Sequence, residues 1–452
     1  MQAGKRTVPR GRLQVALAAI AAAALLAACG TTGARHAASP KTHAAHSQKA
    51  KTSSTATAPT ATPSSPKGPF AVQQLQMTGP ETGFTLATLQ PDATVPSWPL
   101  GSYYPNALSS QVALLYTADG GARWSDVTPQ DPFQTPGMME IGTALDFLSP
   151  TTGWLAVEAQ GSAGSVIAVS RTTNAGASWQ TMTFMPAPPL QGSIRLDFTS
   201  PEDGWILSTS GPGLGLMTKA IFATTDGGST WQLVSCSLDP SCPLQPTGLP
   251  GDSYPTGFSF LGSAQGFLTA AYHGDPYVWF YGSEDAGRTW KRIALTVPPS
   301  EQADYGNAYP PAFFGSTGLM FVQYVGQESS LVLYRSLDGG QSWQPTSGQA
   351  IPSSAGPATI SWATALDGWA LSANDHFLWR TENGGTTFAK SPLPSAFTQY
   401  AETGPLPILD FSDPLHGMLV ATAPSGTSLL FATKDGGETF TRLSPVLTAP
   451  TP

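Results

Sequence analysis

Charge is scarce in this chain. Only 11% of its 452 residues are Asp, Glu, Lys or Arg, and the bases are outnumbered, 21 against 29 acids. Nine of the bases precede residue 70, where there is no acid, so the remainder holds twelve bases against 29 acids. Such a body repels a phosphate backbone, and nucleic acid is not expected as a partner. Cysteine occurs three times. No zinc-type Cys/His spacing, phosphate-cradling glycine loop or serine-nucleophile elbow is found, so neither metal nor cofactor is expected. The chain instead has 47 Gly and 42 Pro, about a fifth of its length. Both break helix interiors, which argues against an all-helical protein. Its aromatic content of 10%, with 12 Trp, is too high for a disordered chain.

The first residues read as an export signal. Lys5, Arg6, Arg10 and Arg12 precede an apolar run from Leu13 to Ala28, shorter than the ~20 residues that span a bilayer comfortably. The run ends in Leu26-Ala27-Ala28-Cys29, which resembles the lipobox of bacterial lipoproteins. That resemblance implies removal of residues 1–28 and diacylation of Cys29, with acyl chains contributing about 0.8 kcal/mol per buried CH₂. Residues 29–69, rich in Ala, Thr, Ser, Pro and Lys, cannot bury enough surface to fold and are expected to be a tether with a reach of about 35 Å. His36, His43 and His46 are read as solvated residues of it. The expected location is the cell membrane, on its extracytoplasmic side, with the basic tether near anionic lipid. Cys236 and Cys242 then remain as a pair, read as a structural disulfide.

From residue 70 to 452 the sequence repeats. The unit Ser/Thr-x-Asp/Asn-x-Gly-x-x-Trp/Phe occurs seven times, with its acidic or Asn position at Asp119, Asn174, Asp226, Asp285, Asp338, Asn383 and Asp435, at spacings of 45 to 59 residues. Its last position is Trp five times and Phe at 388 and 440. A second unit precedes each copy, a β-like run and a polar turn ending in Gly plus a large apolar residue: Gly83-Phe84, Gly153-Trp154, Gly204-Trp205, Gly266-Phe267, Gly318-Leu319, Gly368-Trp369 and Gly417-Met418. Each repeat reads as four short strands. Seven such units predict an all-β fold, a seven-bladed β-propeller of four-stranded antiparallel blades. Residues 70–74 show no outer strand to complete the seventh blade, so side-chain packing alone is expected to close the ring.

In such a ring the first-to-second turns and the turns carrying the repeated Asp are short and share one face. The long connections share the other. They hold Trp98, Tyr103, Tyr104, Phe133, Tyr254, Tyr272, His273, Asp275, Tyr277, Tyr305, Tyr309 and Tyr400. Variable aromatic loops on a rigid scaffold read as a binding surface, although each aromatic could equally pack down its own loop. Seven residues before the turn Gly, the first strands carry Gln76, Asp146, Asp197, Ser259, Ser361 and Asp410, with the register of the fifth repeat ambiguous. Alternation points this position toward the central channel. There Asp146, Asp197 and Asp410 would stand solvated or together bind a cation or an amine, and repulsion between Asp146 and Asp197 would raise one pKa.

The repeated motif resembles the Asp-box, or bacterial neuraminidase repeat. Propellers built from it include sialidases, the sortilin receptor propeller and the photosystem II assembly (stability) factor family, whose Gly-Trp turns and Thr-x-Asp-Gly-Gly-x-Thr-Trp texture is closer. A sialidase would need three arginines gripping a carboxylate. Here Arg123, Arg171, Arg288, Arg335 and Arg380 adjoin or lie within the boxes, Arg292 and Arg442 follow them, and only Arg195 lies on a first strand. No arginine triad can be assembled. The resemblance to assembly factors implies a role in assembly by binding, and with the variable-loop face the expected function is a non-enzymatic, monomeric scaffold for a protein or glycan partner of the cell envelope. The alternative is a sialidase-like glycoside hydrolase or lyase.

Overall fold

The computed structural model describes residues 70–89, 111–130, 139–162, 164–211, 217–237, 242–244, 247–272, 277–301, 305–354, 356–372, 376–401, 404–423 and 426–448. Cys29 and the segments expected as signal peptide and tether lie outside them. The described residues form seven successive antiparallel sheets. Blade 1 is typical, with strands Phe70–Met77, Gly83–Leu89, Gln111–Thr117 and Arg123–Asp126. The first strands of the later blades are Met139–Phe147, Ile194–Phe198, Tyr254–Leu261, Tyr305–Ala308 with Ala312–Phe314, Ala358–Trp362 and Ile408–Phe411. Those of blades 1 to 4 pack in succession, and that of blade 7 packs on both blade 6 and blade 1, so the ring is closed. The fold is a seven-bladed β-propeller.

The boxes explain the regularity. In all seven, the Ser or Thr hydroxyl accepts from the N–H of the glycine four residues on, at 2.7–2.9 Å. The Asp or Asn Oδ1 accepts from the N–H four residues on, at 2.8–2.9 Å. Hydrogen bonds to the ionised form favour it. Accordingly the Ser342 hydroxyl and N–H hold Asp338 down at about 2. The residue after each Asp or Asn donates its N–H to the first-to-second turn of its own blade, as Gly120 does to the Glu81 carbonyl and Gly436 to that of Leu415. Both short turns therefore share one face.

That residue has positive φ in every blade, which suits Gly in five boxes but not Ala175 (φ 57°) or Ala286 (φ 60°). The left-handed conformation costs a non-glycine residue about 1–2 kcal/mol, against about 0.5–1 kcal/mol of extra chain entropy lost by glycine. Ala286→Gly is expected to raise stability by about 0.5–1 kcal/mol, seen as a higher urea midpoint at unchanged slope. A lower midpoint would refute the strain.

Three features depart from the sequence reading. Blade 5 has a broken first strand, because Pro310 and Pro311 carry no N–H for the ladder. Its outer strand is also in two pieces, Gln344–Pro345 and Ile351–Ser353, both paired with Ser329–Ser336. Blade 7 has its own four strands, and the ring is not closed by side chains alone. The strand Val446–Thr448 crosses to blade 1 and pairs in parallel with its outer strand, Leu447 opposite Trp124. There Leu447 joins a buried cluster with Phe70, Val72, Trp124, Met418 and Leu430, drawn from blades 1 and 7. Because Phe70 starts a first strand and Thr448 runs parallel to an outer one, both lie at the face of the long connections.

Cys236 and Cys242 form the expected disulfide. The buried Lys219 Nζ donates to the carbonyls of Met217 (2.8 Å) and Pro250 (2.7 Å), tying together the loops beside it. Burial lowers its pKa to about 7 against the opposing pull of Asp252.

Candidate functional site

Each first strand is sandwiched between blades, and its alternation separates two kinds of contact. One set of side chains turns to the preceding blade and is aromatic. Phe147 stacks on Phe84 at 3.5 Å, Phe198 on Trp154 at 3.6 Å, Phe260 on Trp205 at 3.8 Å and Phe411 on Trp369 at 3.6 Å. The other set turns to the following blade and is polar. Gln76 Oε1 accepts from Phe147 N–H (2.8 Å) and its Nε2 donates to Phe147 O (3.1 Å). Asp146 accepts from Phe198 N–H and Asp197 from Phe260 N–H, both at 2.6 Å. Ser259 donates to Pro311 O, Ser361 accepts from Phe411 N–H, both at 2.9 Å, and Asp410 accepts from Met77 N–H. Six of the seven junctions are thus joined at one level.

The seventh junction, from blade 5 to blade 6, has Pro311 at this level and is joined two residues earlier. There the Tyr309 hydroxyl accepts from Ala358 N–H at 2.7 Å. The same level holds Gln74 donating to Thr143 O (2.8 Å), Arg195 to Thr256 O (2.6 Å) and Thr359 to Pro407 O (2.7 Å). Two rows of side-chain to main-chain bonds therefore tie the ring. The sequence reading pointed Asp146, Asp197 and Asp410 toward the channel, either solvated or together binding a cation or an amine. In the structure each is half-buried and accepts a main-chain N–H of the next blade. Burial raises all three carboxyls; Asp410 is pushed up to about 7, and the charge of Asp146 adds to the burial of Asp197.

The aromatic face is divided. Trp98, Tyr103, Tyr104, Phe133, His273 and Asp275 lie outside the described residues. Tyr309 belongs to the ring ties, and burial raises its hydroxyl to about 12. Tyr400 sits on the helix Ser395–Ala401 and packs on the core of blades 6 and 7. Tyr254 and Tyr305 open the first strands of blades 4 and 5, half-buried. Tyr272 lies 5.5 Å from the Trp279 ring. Tyr277 is 58% exposed, with the Arg292 guanidinium 4.5 Å over its ring. A parallel bridge between Val278 and Gly306 brings the segments of Tyr277 and Tyr305 side by side.

At the channel mouth on this face is a cavity of about 510 Å³, lined by Gln74, Thr143, Ser193, Arg195, Gly257 and Pro310 among others. Among the described residues, Arg195 is its only charged lining residue. Its guanidinium is held by main-chain carbonyls of blade 4, burial lowers its pKa, and no acid pairs with it among the described residues. Sequence reasoning singled out Arg195 by its inner position but missed Gln74 and Thr359. A polar residue recurring two positions ahead of the acidic row was the signal for both. Between blades 2 and 3, Glu158 is fully buried; Ser208 donates to its Oε2 at 3.2 Å, and burial raises its pKa to about 7.

Fold and site together define a β-propeller with a hydrogen-bonded inner ring, the two short turns of each blade on one closed face and a cavity lined by Arg195 at the other. No protein-family model matches the chain. Over 258 residues it is 26% identical to a xyloglucanase from a Paenibacillus species, a match spanning 50% of this chain and 23% of that enzyme, so the chain covers less than a quarter of that relative's length. Among solved structures, it is similar to YCF48 bound to a D1 peptide (TM-score 0.47, 13% identity, 81% of this chain and 92% of that one). YCF48 from Cyanidioschyzon merolae gives a TM-score of 0.46 at 13% identity, covering 82% and 97%. The Hadza microbial sialidase Hz136 gives 0.43 at 12% identity, covering 81% and 65%.

Proposed function

We propose that this chain is an exported binding scaffold of the bacterial cell envelope, anchored by lipid at Cys29, which engages a protein or glycan partner with its long-loop face. One observation carries the reading. The acids of the inner ring, Asp146, Asp197 and Asp410, are committed to main-chain N–H groups of neighbouring blades, while the mouth above them offers an open cavity lined by Arg195, whose guanidinium is bonded to main-chain carbonyls and to no acid among the described residues. A two-carboxylate hydrolase needs an acid and a base free to meet substrate. A binding face needs shape, aromatic area and a few polar anchors.

The rival reading, an envelope glycoside hydrolase, is favoured by the xyloglucanase likeness. Ser193 is exposed at the mouth, so Ser193→Trp fills the cavity from outside. Full-length protein carrying Ser193→Trp, or Tyr277→Ala, is expected to recover its envelope partner or glycan at least about fivefold less well than the wild type. Thr151→Ala, on the closed face, is expected to leave recovery intact. Equal recovery by all three would remove the site from this face. Release of reducing sugar from xyloglucan by the wild type would replace the scaffold reading with the hydrolase. Cys29→Ala is expected to move the protein from the membrane to the soluble fraction, and retention in the membrane would refute the anchor.

A further inference from the structure

On the closed face, three junctions between blades are filled by an arginine of the earlier blade. Arg171, Arg335 and Arg380 each stand just before the Ser or Thr that opens a box. Arg380 lies 5.9 Å over Trp369 and donates to the carbonyls of Asp435 and Pro414 in blade 7, both at 3.4 Å. Arg171 lies 5.5 Å over Trp154, and a Cβ on Gly227 of blade 3 would come within 2.2 Å of its Nη1 and 2.7 Å of the Pro201 carbonyl. Arg335 donates to the Gly384 carbonyl of blade 6, beside the Ala365 carbonyl. Arg380 bonds both the start of the next box and the carbonyl three residues before the next turn Gly, and Arg171 and Arg335 lie beside the same two places. Trp154 and Trp369 complete two of these junctions by donating Nε1 to Gly227 O and Gly436 O at 2.9 Å.

The junction from blade 7 to blade 1 has the same main chain, at Asp119-Gly120 and Pro80, without either side chain. Ala432 stands at the arginine position and Met418 at the tryptophan position. Met418 packs beneath Gly121, where a Cβ would come within 2.8 Å of its Cε, but it has no N–H to donate. What remains is a cleft of about 530 Å³ lined by Pro80, Glu81, Asp119, Gly120, Met418 and Ala432 among others. Its charged groups are Glu81 and Asp119 on the blade 1 wall, and Asp435, Lys434 and His416 on the blade 7 wall. His416 is bonded to Asp413 at 3.0 Å.

We propose that this cleft receives an arginine side chain of a partner protein, as a second contact on the face opposite the long loops. At two filled junctions this main chain accepts from a guanidinium, and at the third a guanidinium lies against it. As at the junction from blade 2 to blade 3, where Glu202 and Asp226 hold these positions, the receiving blade adds negative charge through Glu81 and Asp119, the latter 3.5 Å from Arg123. The planar fork of arginine can reach two carbonyls and a carboxylate at once, whereas a lysine ammonium is a point donor.

The test uses the full chain and the peptide acetyl-Gly-Arg-Gly-amide, followed by NMR chemical-shift titration. The arginine peptide is expected to bind in the millimolar range, ~1 mM, and the lysine counterpart at least about threefold more weakly. Ala432→Arg supplies the guanidinium from within; it is expected to raise the melting temperature and abolish peptide binding. Glu81→Gln, an exposed substitution, is expected to weaken binding about fivefold. The proposal fails if no arginine peptide binds at 10-fold the expected concentration, ~10 mM. It also fails if Ala432→Arg folds yet binds as wild type. Should Ala432→Arg not fold, Glu81→Gln decides, and unchanged affinity there overturns the site.

Discussion

Deleting residues 444–452 is expected to lower the unfolding free energy by about 3–5 kcal/mol, the range for loss of a large buried side chain and its surroundings. The deletion removes Leu447 from the cluster it shares with Phe70 and Trp124. It also removes the bond from Val446 N–H to Ala122 O (3.0 Å) and that from the Thr448 hydroxyl to Trp124 O (3.2 Å). The uncovered strand Arg123–Asp126 becomes a free sheet edge, so a rise in aggregation should accompany the loss. A control, Val446→Ser, changes a side chain that is 56% exposed and is expected to alter stability by less than about 0.5 kcal/mol. Thermal unfolding of both variants checks the pair, and a deletion as stable as the wild type would show that blades 7 and 1 close without the crossing strand.

The second large effect is a dependence on pH. Burial raises Asp410 to about 7, so the folded ring holds a proton that the unfolded chain, with its carboxyl near 3.8, releases. Stability rises with pH only where the unfolded state binds more protons. Here the folded state binds more between about pH 4 and 7, so the contribution of Asp410 falls as pH rises through that window. Asp146 and Asp197 act in the same direction. The box acids act oppositely. Asp338 and Asp435 are held at about 2, and their stabilisation is present above about 4 and lost in stronger acid. Glu158 acts with the ring acids, while Lys219, lowered to about 7, opposes them above that pH; the four raised carboxyls outnumber it, so the melting temperature is expected to be several degrees higher at pH 5 than at pH 8. Asp410→Asn keeps an oxygen for the Met77 N–H and removes the titration, so its profile between pH 5 and 8 should be flatter. Asp410→Ala leaves that N–H without its acceptor and is expected to cost about 1–3 kcal/mol at pH 5. An Asp410→Asn profile as steep as wild type would move the proton elsewhere.

The blade count was legible because the Asp-box is local. Its hydroxyl, carboxylate and glycines bond within one turn, so seven copies in sequence become seven turns in space. The aromatic after each turn glycine was legible for a similar reason, since apolar area must be buried and Phe84, Trp154, Trp205 and Trp369 are. The destination of Asp146, Asp197 and Asp410 was not. Alternation tells which side of a strand a residue takes, but not that the polar side of each first strand faces the next blade as closely as the aromatic side faces the last. The closing strand was missed because three residues, Val446–Thr448, carry no period, and their parallel pairing is with a segment more than 300 residues away. The break in blade 5 had a visible sign in Pro310-Pro311, which made its register ambiguous. For the cleft between blades 7 and 1, the sign was two small departures from the repeat, Ala432 and Met418, whose meaning depends on what fills the same place elsewhere.

Phe70 and Thr448 lie on the same side of the ring as the long connections, which governs how the molecule can be handled. A fusion partner or affinity resin joined directly at Phe70 or Thr448 would stand on the side proposed to bind. Surface capture that leaves that side unobstructed must instead grip the far side, for example through a single biotinylated cysteine replacing Thr151.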